Sequence, residues 1–387
     1  EICWSDWSSD VCSSDLDYIG QSHRLPGDEA LNCDESEKRV KAHICYLHPR
    51  MPFDAANFRP GEWQSFASDW LPAASQQGTA HPEFIQQLSP LALESLTLEQ
   101  LLRFWAHPVR AFFQMRLRVN FRPEESDIPD AEPFILEGLS RYQLNQELLN
   151  TLVEQQDVEK LFRHYRAAGA LPYGAFGEII WEAQQLEMQE LADRVIAQRQ
   201  PGQSMEVDLA CAGVHLSGWL AHVQPDGLLR WRPSKLSVTQ GLQLWLEHLV
   251  YCASGGIGES RLFVRNGGEW RFPAMTPDDA LQHLALMIEG YREGMAKPLL
   301  LLPESGGAWI KACYDAANDA MLSDETTLQK AQSKFLQAYE GGMFSTGEGE
   351  DIWYQRLWRT LTPEHYLQIT TLSQRYLLPL YRFNQSK

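Results

Sequence analysis

The sequence predicts an α/β fold, on three observations. Apolar residues alternate around Val207, Leu209, Val214 and Leu216 in MEVDLACAGVHLSGWLAHV, the period-2 signature of strands. Asn266, Gly267 and Gly268 divide ESRLFVRNGGEWRFP as a hairpin would be divided. Stretches of 3.6-residue period stand before, between and after these strands, as helices covering a sheet must.

Taken in chain order, the opening EICWSDWSSDVCSSDL (Glu1 to Leu16) carries four acidic groups, no Lys or Arg and no apolar period. A secretory signal needs a basic start and an apolar run of about 7 to 15 residues, and this segment has neither. It looks like the translation of a sequencing-library adapter, so residues 1–16 are set aside as an artefact and expected to be disordered. Residues 17–90 are rich in turn residues and Pro-bearing stretches such as YLHPRMPFDAANFRPGEW, and read as the closing part of a domain that starts upstream.

From Thr97 the pattern is helical. Thr97 with Gln100 three residues on is a capping-box signal, and Leu98, Leu101, Leu102 and Trp105 follow the helical period. Pro108 must break or kink that helix, after which Val109, Phe112, Phe113 and Leu117 continue the apolar pattern. Further helices are expected over about 141–168 and 174–199. Then come the strands, a turn at Gln224 to Gly227, a short strand in LLRWRP, and an amphipathic helix, VTQGLQLWLEHLVYCA, with Leu242, Trp245, Leu246 and Leu249 on one face. After the hairpin, the remainder from Thr276 reads as helical with an aromatic-rich end.

Composition bounds the function. At 387 residues, 44% hydrophobic and 11% aromatic, the chain can build real cores and is not a disordered tail. The longest greasy run, KPLLLLPESGGAW, stops at a proline after four leucines, far short of a membrane span. Outside the first sixteen residues the cysteines are Cys33, Cys45, Cys211, Cys252 and Cys313, scattered and without a CxxC pair, which suggests neither a zinc ribbon nor a disulfide framework. A reducing cytoplasm is the expected home. The net charge is −18, so contact with nucleic acid requires a local basic strip. Arg103, Arg110, Arg116, Arg118 and Arg122 form the densest such strip, readable either as a solvated helix face or as a phosphate-facing one.

Other signals weigh less. SGGIGES lacks the Lys-Ser/Thr of a phosphate loop and reads as a helix-to-strand connection; PESGGAW reads as a loop with two glycines. His107, next to Pro108, reads as a packing or capping residue. Trp353, Tyr354, Trp358, Tyr366, Tyr376, Tyr381 and Phe383 read mainly as core, with any exposed member suited to partner docking.

The order helix, strand, strand pair with a tight turn, short strand, helix resembles the core of restriction-endonuclease-like nucleases. Active members of that fold carry a G-x-I-D pattern on one strand, D/E-x-K on the next and Gln on the following helix; the carboxylates hold Mg²⁺, which activates the attacking water. Laid onto this chain, Gly218-Trp219-Leu220-Ala221 takes the first motif, Arg230-Trp231-Arg232 the second, and Gln243 or Gln240 the helix position. Ala221 offers no oxygen, and a guanidinium has no acceptor and repels a cation. The resemblance therefore implies an inactive PD-(D/E)xK nuclease-like domain with many added helices, preceded by the end of a helicase-like domain. Relocated carboxylates, Glu178, Glu206, Asp208 or Asp226, are the competing reading; Asp226 also reads as a turn residue and Glu178 as a helix-face charge.

The match is closer than a fold. LEGLSRYQLNQELLN, LPYGAFGEIIWE, PDGLLRWRP, QLWLEHLVYCASGG, LLPESGGAWIKACYDAANDAML and DIWYQRLWRTLTPE resemble, in order, the C-terminal third of the RecC family, the gamma subunits of exodeoxyribonuclease V, the RecBCD helicase-nuclease. The resemblance implies residues 91–387 as the nuclease-like domain and 17–90 as a remnant of an inactive helicase-like one. It implies a noncatalytic scaffold that splits and channels duplex DNA ends in double-strand break repair, within a heterotrimer with RecB-like and RecD-like subunits. No cofactor is expected in this chain; Mg²⁺ and ATP belong to the partners. The rival readings are a metal-dependent DNA exonuclease acting alone and a fragment that touches only protein partners.

Overall fold

In the computed structural model, which describes residues 15–45, 48–61, 64–67, 70–75, 87–121, 136, 138–342 and 345–386, the chain divides into two units, Glu1–Pro82 and Glu83–Lys387. The adapter-like opening lies outside the described residues up to residue 14. In the first unit a helix spans Cys33–Ile44. Asn32 caps it by accepting from Glu35 N at 2.8 Å, and Asp34 and Glu35 in its first turn face the positive end of the helix dipole. Asp28 is fully buried and accepts from Leu25 N, Ser36 Oγ and Arg39, which satisfies a carboxylate removed from water.

The second unit is layered. Its elements are β1 (Ser95–Thr97), α1 (Leu98–Ala106), α2 (Pro108–Ala111), α3 (Gly138–Val153), α4 (Val158–Ala167), α5 (Ala175–Ile196), β2 (Gln203–Cys211), β3 (Val214–Gln224), β4 (Gly227–Trp231), α6 (Val238–Ala253), β5 (Glu259–Phe263), β6 (Glu269–Phe272) and α7 (Pro277–Ala296). α8 (Pro303–Cys313), α9 (Glu325–Glu340), α10 (Ile352–Leu357), α11 (Pro363–Tyr376) and α12 (Leu378–Phe383) complete it. The sheet is mixed, in the order β1-β3-β4-β5-β6 with β2 also paired to β3. β2–β3, β3–β4 and β5–β6 are antiparallel; β1–β3 and β4–β5 are parallel.

Strand alternation assigns the two faces of the sheet. Leu228 and Leu262 point to a core shared with α1, α6 and α7, while their neighbours Leu229 and Phe263 point to a second core under α3 and α5. A third core joins α8, α9, α10 and α11 through Trp309, Ile310, Phe335, Trp353 and Ile369. The Thr97–Gln100 capping box is formed in both directions, and α1 ends at Ala106, two residues before Pro108. Both ends of the hairpin predicted through Asn266 and Gly267 pair as expected, Phe263 with Glu269 and Ser260 with Phe272.

Four expectations are corrected. The helix expected over 141–168 is two helices, because Asp157 caps a new start by accepting from Glu159 N and Lys160 N. β1 was not anticipated, since three residues carry no period and their partners lie some 120 positions downstream, Leu96 against Leu216. α6 is not amphipathic in the fold: besides Leu242, Trp245, Leu246 and Leu249 it buries Leu244, His248, Val250, Tyr251 and Cys252, having packed elements on both sides. PESGGAW is the first two turns of α8, and its glycines serve close packing. A Cβ on Gly306 would lie 2.0 Å from Ser373 Oγ of α11, and one on Gly307 would lie 2.5 Å from Val238 at the start of α6.

That approach brings acidic side chains to several helix starts. Glu304 in the first turn of α8 accepts from Val238 N (3.0 Å), Thr239 N (3.0 Å) and Thr239 Oγ1 (2.9 Å) at the head of α6. Glu348 in turn accepts from Glu304 N (3.2 Å) and Ser305 N (2.8 Å) at the head of α8. Asp351 caps α10 and lies 3.2 Å from His107, which caps α2 by accepting from Arg110 N. His107 is thus a capping residue, stacked on Tyr354 at 4.8 Å.

Burial of its inward-turned carboxyl, reinforced by the neighbouring Glu304, pushes Glu348 up to about 7 from an ordinary 4.5, although the backbone donors oppose the shift. The folded chain then holds a proton that the unfolded chain releases near 4.5, so this group costs stability as pH rises from 4.5 to about 7, by up to about 3 kcal/mol. Glu348→Gln is neutral at every pH. Urea unfolding should show the stability of the variant relative to the parent rising by about 1–3 kcal/mol between about pH 5 and pH 8; parallel pH profiles would contradict the assignment.

Candidate functional site

A cavity of about 380 Å³ opens between β4, α6, α1 and α3. Its origin lies in β3. The β2–β3 register slips by one residue between Gln203↔Val223 and Met205↔Leu220, which places a bulge at Ala221–His222, and His222 takes a left-handed φ of 52°. Beyond the bulge β3 pairs with β4 at only two positions, whereas β4 runs alongside β5 for five. The strands part where Ala221 and Arg230 would otherwise face each other, and side chains from β4 and α6 line the gap.

Arg230 lies at the centre of this lining. Its Nε donates to Glu247 Oε2 of α6 at 2.8 Å and its Nη1 to Leu229 O, with about a fifth of each charged side chain exposed. Arg232, two residues on and pointing the same way along the strand, is exposed, and its guanidinium has no partner among the described residues. Trp231 projects to the other side of the strand. Its Nε1 donates to Asn150 Oδ1 at 3.1 Å and Arg199 lies over its ring at 5.8 Å. With two guanidiniums and one carboxylate, the charged lining is net positive in a chain of net charge −18.

The sequence-predicted positions divide in their roles. Gln243 donates to Leu102 O at 2.9 Å and Gln240 to Ser234 Oγ at 2.5 Å, so both amides border the cavity while holding its walls. Gly218 sits with φ 154° where β3 passes the head of α1; a Cβ there would lie 3.0 Å from Leu98 Cβ. Ala221 is exposed at the bulge and does not line the cavity. Glu247 was not singled out from the sequence. Its signal was its place one turn after Gln243 on the same helix, on the face that Arg230 approaches.

The competing carboxylates do not converge here. Asp226 closes the β3–β4 turn, where its Oδ2 accepts from Gln200 Nε2 and its carbonyl from Glu259 N. Asp208 lies 3.4 Å from His215, Glu178 lies 4.0 Å from Arg166, and Glu206 is exposed on β2. Among the described residues no three His, Cys, Asp or Glu side chains are grouped so as to hold a metal ion.

The arginine strip is not one surface. Arg103, Arg110 and Arg118 are exposed; Arg103 donates to Gln114 Oε1, and Arg118 has a left-handed φ of 56°. Arg116 is half-buried and donates to Ser89 O at 2.8 Å, which ties the chain segment before β1 to the end of the π-helical turn Phe112–Arg116 that follows α2. Arg122 lies outside the described residues.

A family model described as the RecC C-terminal domain matches residues 93–314, which takes in the whole mixed sheet, the cavity and α8. The chain is 73% identical over 371 residues to the RecBCD enzyme subunit RecC of Escherichia coli K12, covering 96% of this chain and 33% of that protein. The chain belongs to the RecC family. Relatives named RecBCD enzyme subunit RecC also occur in Buchnera aphidicola of Acyrthosiphon pisum, at 28% identity over 94% of this chain, and in Haemophilus influenzae, at 25% over 75%. The chain spans about a third of the length of the RecC proteins it matches. No helix among the described residues is long and apolar enough to cross a membrane.

The Arg230–Glu247 pair is partly shielded, so breaking one side leaves an uncompensated charge in the wall. Glu247→Ala should destabilise the chain by about 1–2 kcal/mol in urea unfolding. Adding Arg230→Met should recover most of that loss, whereas additive losses would show that the pair carries no coupling.

Proposed function

We propose that this chain is the nuclease-like part of a RecC subunit and that it guides DNA strands without cutting them. In support of the nuclease-like reading, α5, β2, β3, β4, α6 and β5 follow one another in the order and pairing of the restriction-endonuclease-like core: three antiparallel strands, then a helical crossover to a parallel fourth. The reading rests on one observation, the Arg230–Glu247 ion pair at 2.8 Å. Where a cutting relative would offer acidic oxygens to Mg²⁺, this chain has a guanidinium, and it has already neutralised Glu247, the one carboxylate lining the cavity among the described residues. A divalent cation placed there would meet a guanidinium without an acceptor and a carboxylate whose charge is already balanced, so it would recover little of its hydration energy.

Arg232, with Arg103, Arg110 and Arg118, supplies exposed positive charge suited to phosphates. The protein works, on this reading, inside a heterotrimer with RecB-like and RecD-like subunits, serving double-strand break repair, with Mg²⁺ and ATP used by those partners. Reconstituted with them, the chain should support binding to a forked duplex. Changing Arg103, Arg110, Arg118 and Arg232 together to Ala should weaken that binding at least tenfold and flatten its salt dependence. Incubated alone with linear DNA and Mg²⁺ or Mn²⁺, it should leave the DNA whole; cutting that disappears in Asp226→Ala would establish the rival nuclease reading.

A further inference from the structure

α5 is apolar on two sides and covered on one. Gly177, Trp181, Met188, Leu191 and Val195 fall on a seam of four- and three-residue steps, with half-buried Gln184 at the step between Trp181 and Met188, and this seam is buried in the core under the sheet. A second seam, Phe176, Ile179, Ala183 and Leu186, repeats at steps of three and four along roughly the opposite side. Phe176 is 74% exposed, Ile179 62% and Leu186 68%. A helix with apolar seams on two sides normally packs both. Here half of that packing is missing.

The exposed seam is extended by its neighbours. α3 runs beside α5 in the same direction, as Asn145 donating to Gln184 and Arg199 donating to Val153 O require. Leu139, 72% exposed, and Tyr142 of α3 therefore lie at the same end as Phe176, Ile179 and the wholly outward Tyr173. Scattered exposed apolar residues need no explanation, but a set aligned on one helical seam marks an interface.

α5 is also held rigidly enough to serve as a docking edge. Glu187 takes both of its oxygens to Arg265 Nη1 at 3.0 Å, and Arg194 donates to Val264 O while lying over the Phe263 ring at 4.7 Å. The charges left exposed along the helix are acidic: Glu178, Glu182, Glu190 and Asp193.

We propose that the outer seam of α5 docks an apolar helix edge, flanked by Lys and Arg, of another subunit of the assembly. The acidic flanks select that chemistry. A second copy of this chain, packed seam to seam, would bring Glu182 and Glu190 against like charges, which disfavours a homodimer. This inference rests on the reading that the chain works within a RecBCD-type complex.

The test uses the full chain and separately purified motor and nuclease subunits, with binding followed by co-elution and by titration. Two variants are compared with the parent: Ile179→Glu with Leu186→Glu, which breaks the seam, and Glu182→Lys with Glu190→Lys, which reverses the flank. All four positions are outward, so thermal unfolding of both variants should match the parent. The proposal expects at least tenfold weaker capture of a partner subunit by each variant. Equal capture by parent and variants would overturn the docking seam while leaving the assembly reading intact. No capture by the parent would overturn the assembly reading itself, and the seam with it. A parent dimer that Ile179→Glu with Leu186→Glu dissociates would assign the seam to a second copy instead.

Discussion

The central constraint in the second unit is the head of α6. A helix enclosed on both sides cannot leave its first N–H groups to water, and each unsatisfied donor would cost about 1–3 kcal/mol. Glu304 meets that demand by accepting from Val238 and Thr239, and Ser237 Oγ takes Gln240 N. Glu304 can reach only because Gly307 lets α8 lie against Val238. Glu348 then does for α8 what Glu304 does for α6, and Asp351 and His107 cap α10 and α2 next to it. The order of the sheet-bound helix is thereby tied to a short acidic segment about a hundred residues downstream.

The position of α6 decides the chemistry of the cavity. Fixed at its head and packed through Trp245 and Leu249, α6 presents Gln240, Gln243 and Glu247 towards β4, one turn apart. The bulge at Ala221–His222 releases β4 from β3 and opens room for Arg230 to meet Glu247. Neither residue alone tells what the site does. Their pairing leaves the corner self-neutralised, with Arg232 as the outward charge.

The two kinds of carboxylate in this chain illustrate how environment sorts one functional group. Glu348, turned into the protein against Glu304, is pushed up to about 7, while Glu259, held by Arg271 and Arg261, is lowered. His248, buried beside Ser260 and Cys252, is brought down to about 4 by the same desolvation that raises Glu348. Between pH 4.5 and 6.5 these two groups work in opposite directions, since the histidine loses stability on acidification and the glutamate on alkalinisation.

By itself the sequence determined what depends on neighbours within a few residues. The Thr97–Gln100 capping box, the break at Pro108, the Asn266–Gly267 hairpin and the bounds of α6 are local, because turn chemistry and periodicity act over one or two turns. The long strings shared with the RecC family were legible for the same reason, being contiguous. Only the tertiary structure decided what depends on partners far along the chain: the strand Ser95–Thr97 laid against β3, the glycines of α8 that looked like a loop until Ser373 and Val238 stood beside them, and Glu247 as the counter-ion of Arg230. No local pattern encodes a contact between residues brought together by packing. The burial and pairing of the candidate site follow from packing, and so does the bare side of α5, which in the sequence alone is indistinguishable from the side that is covered.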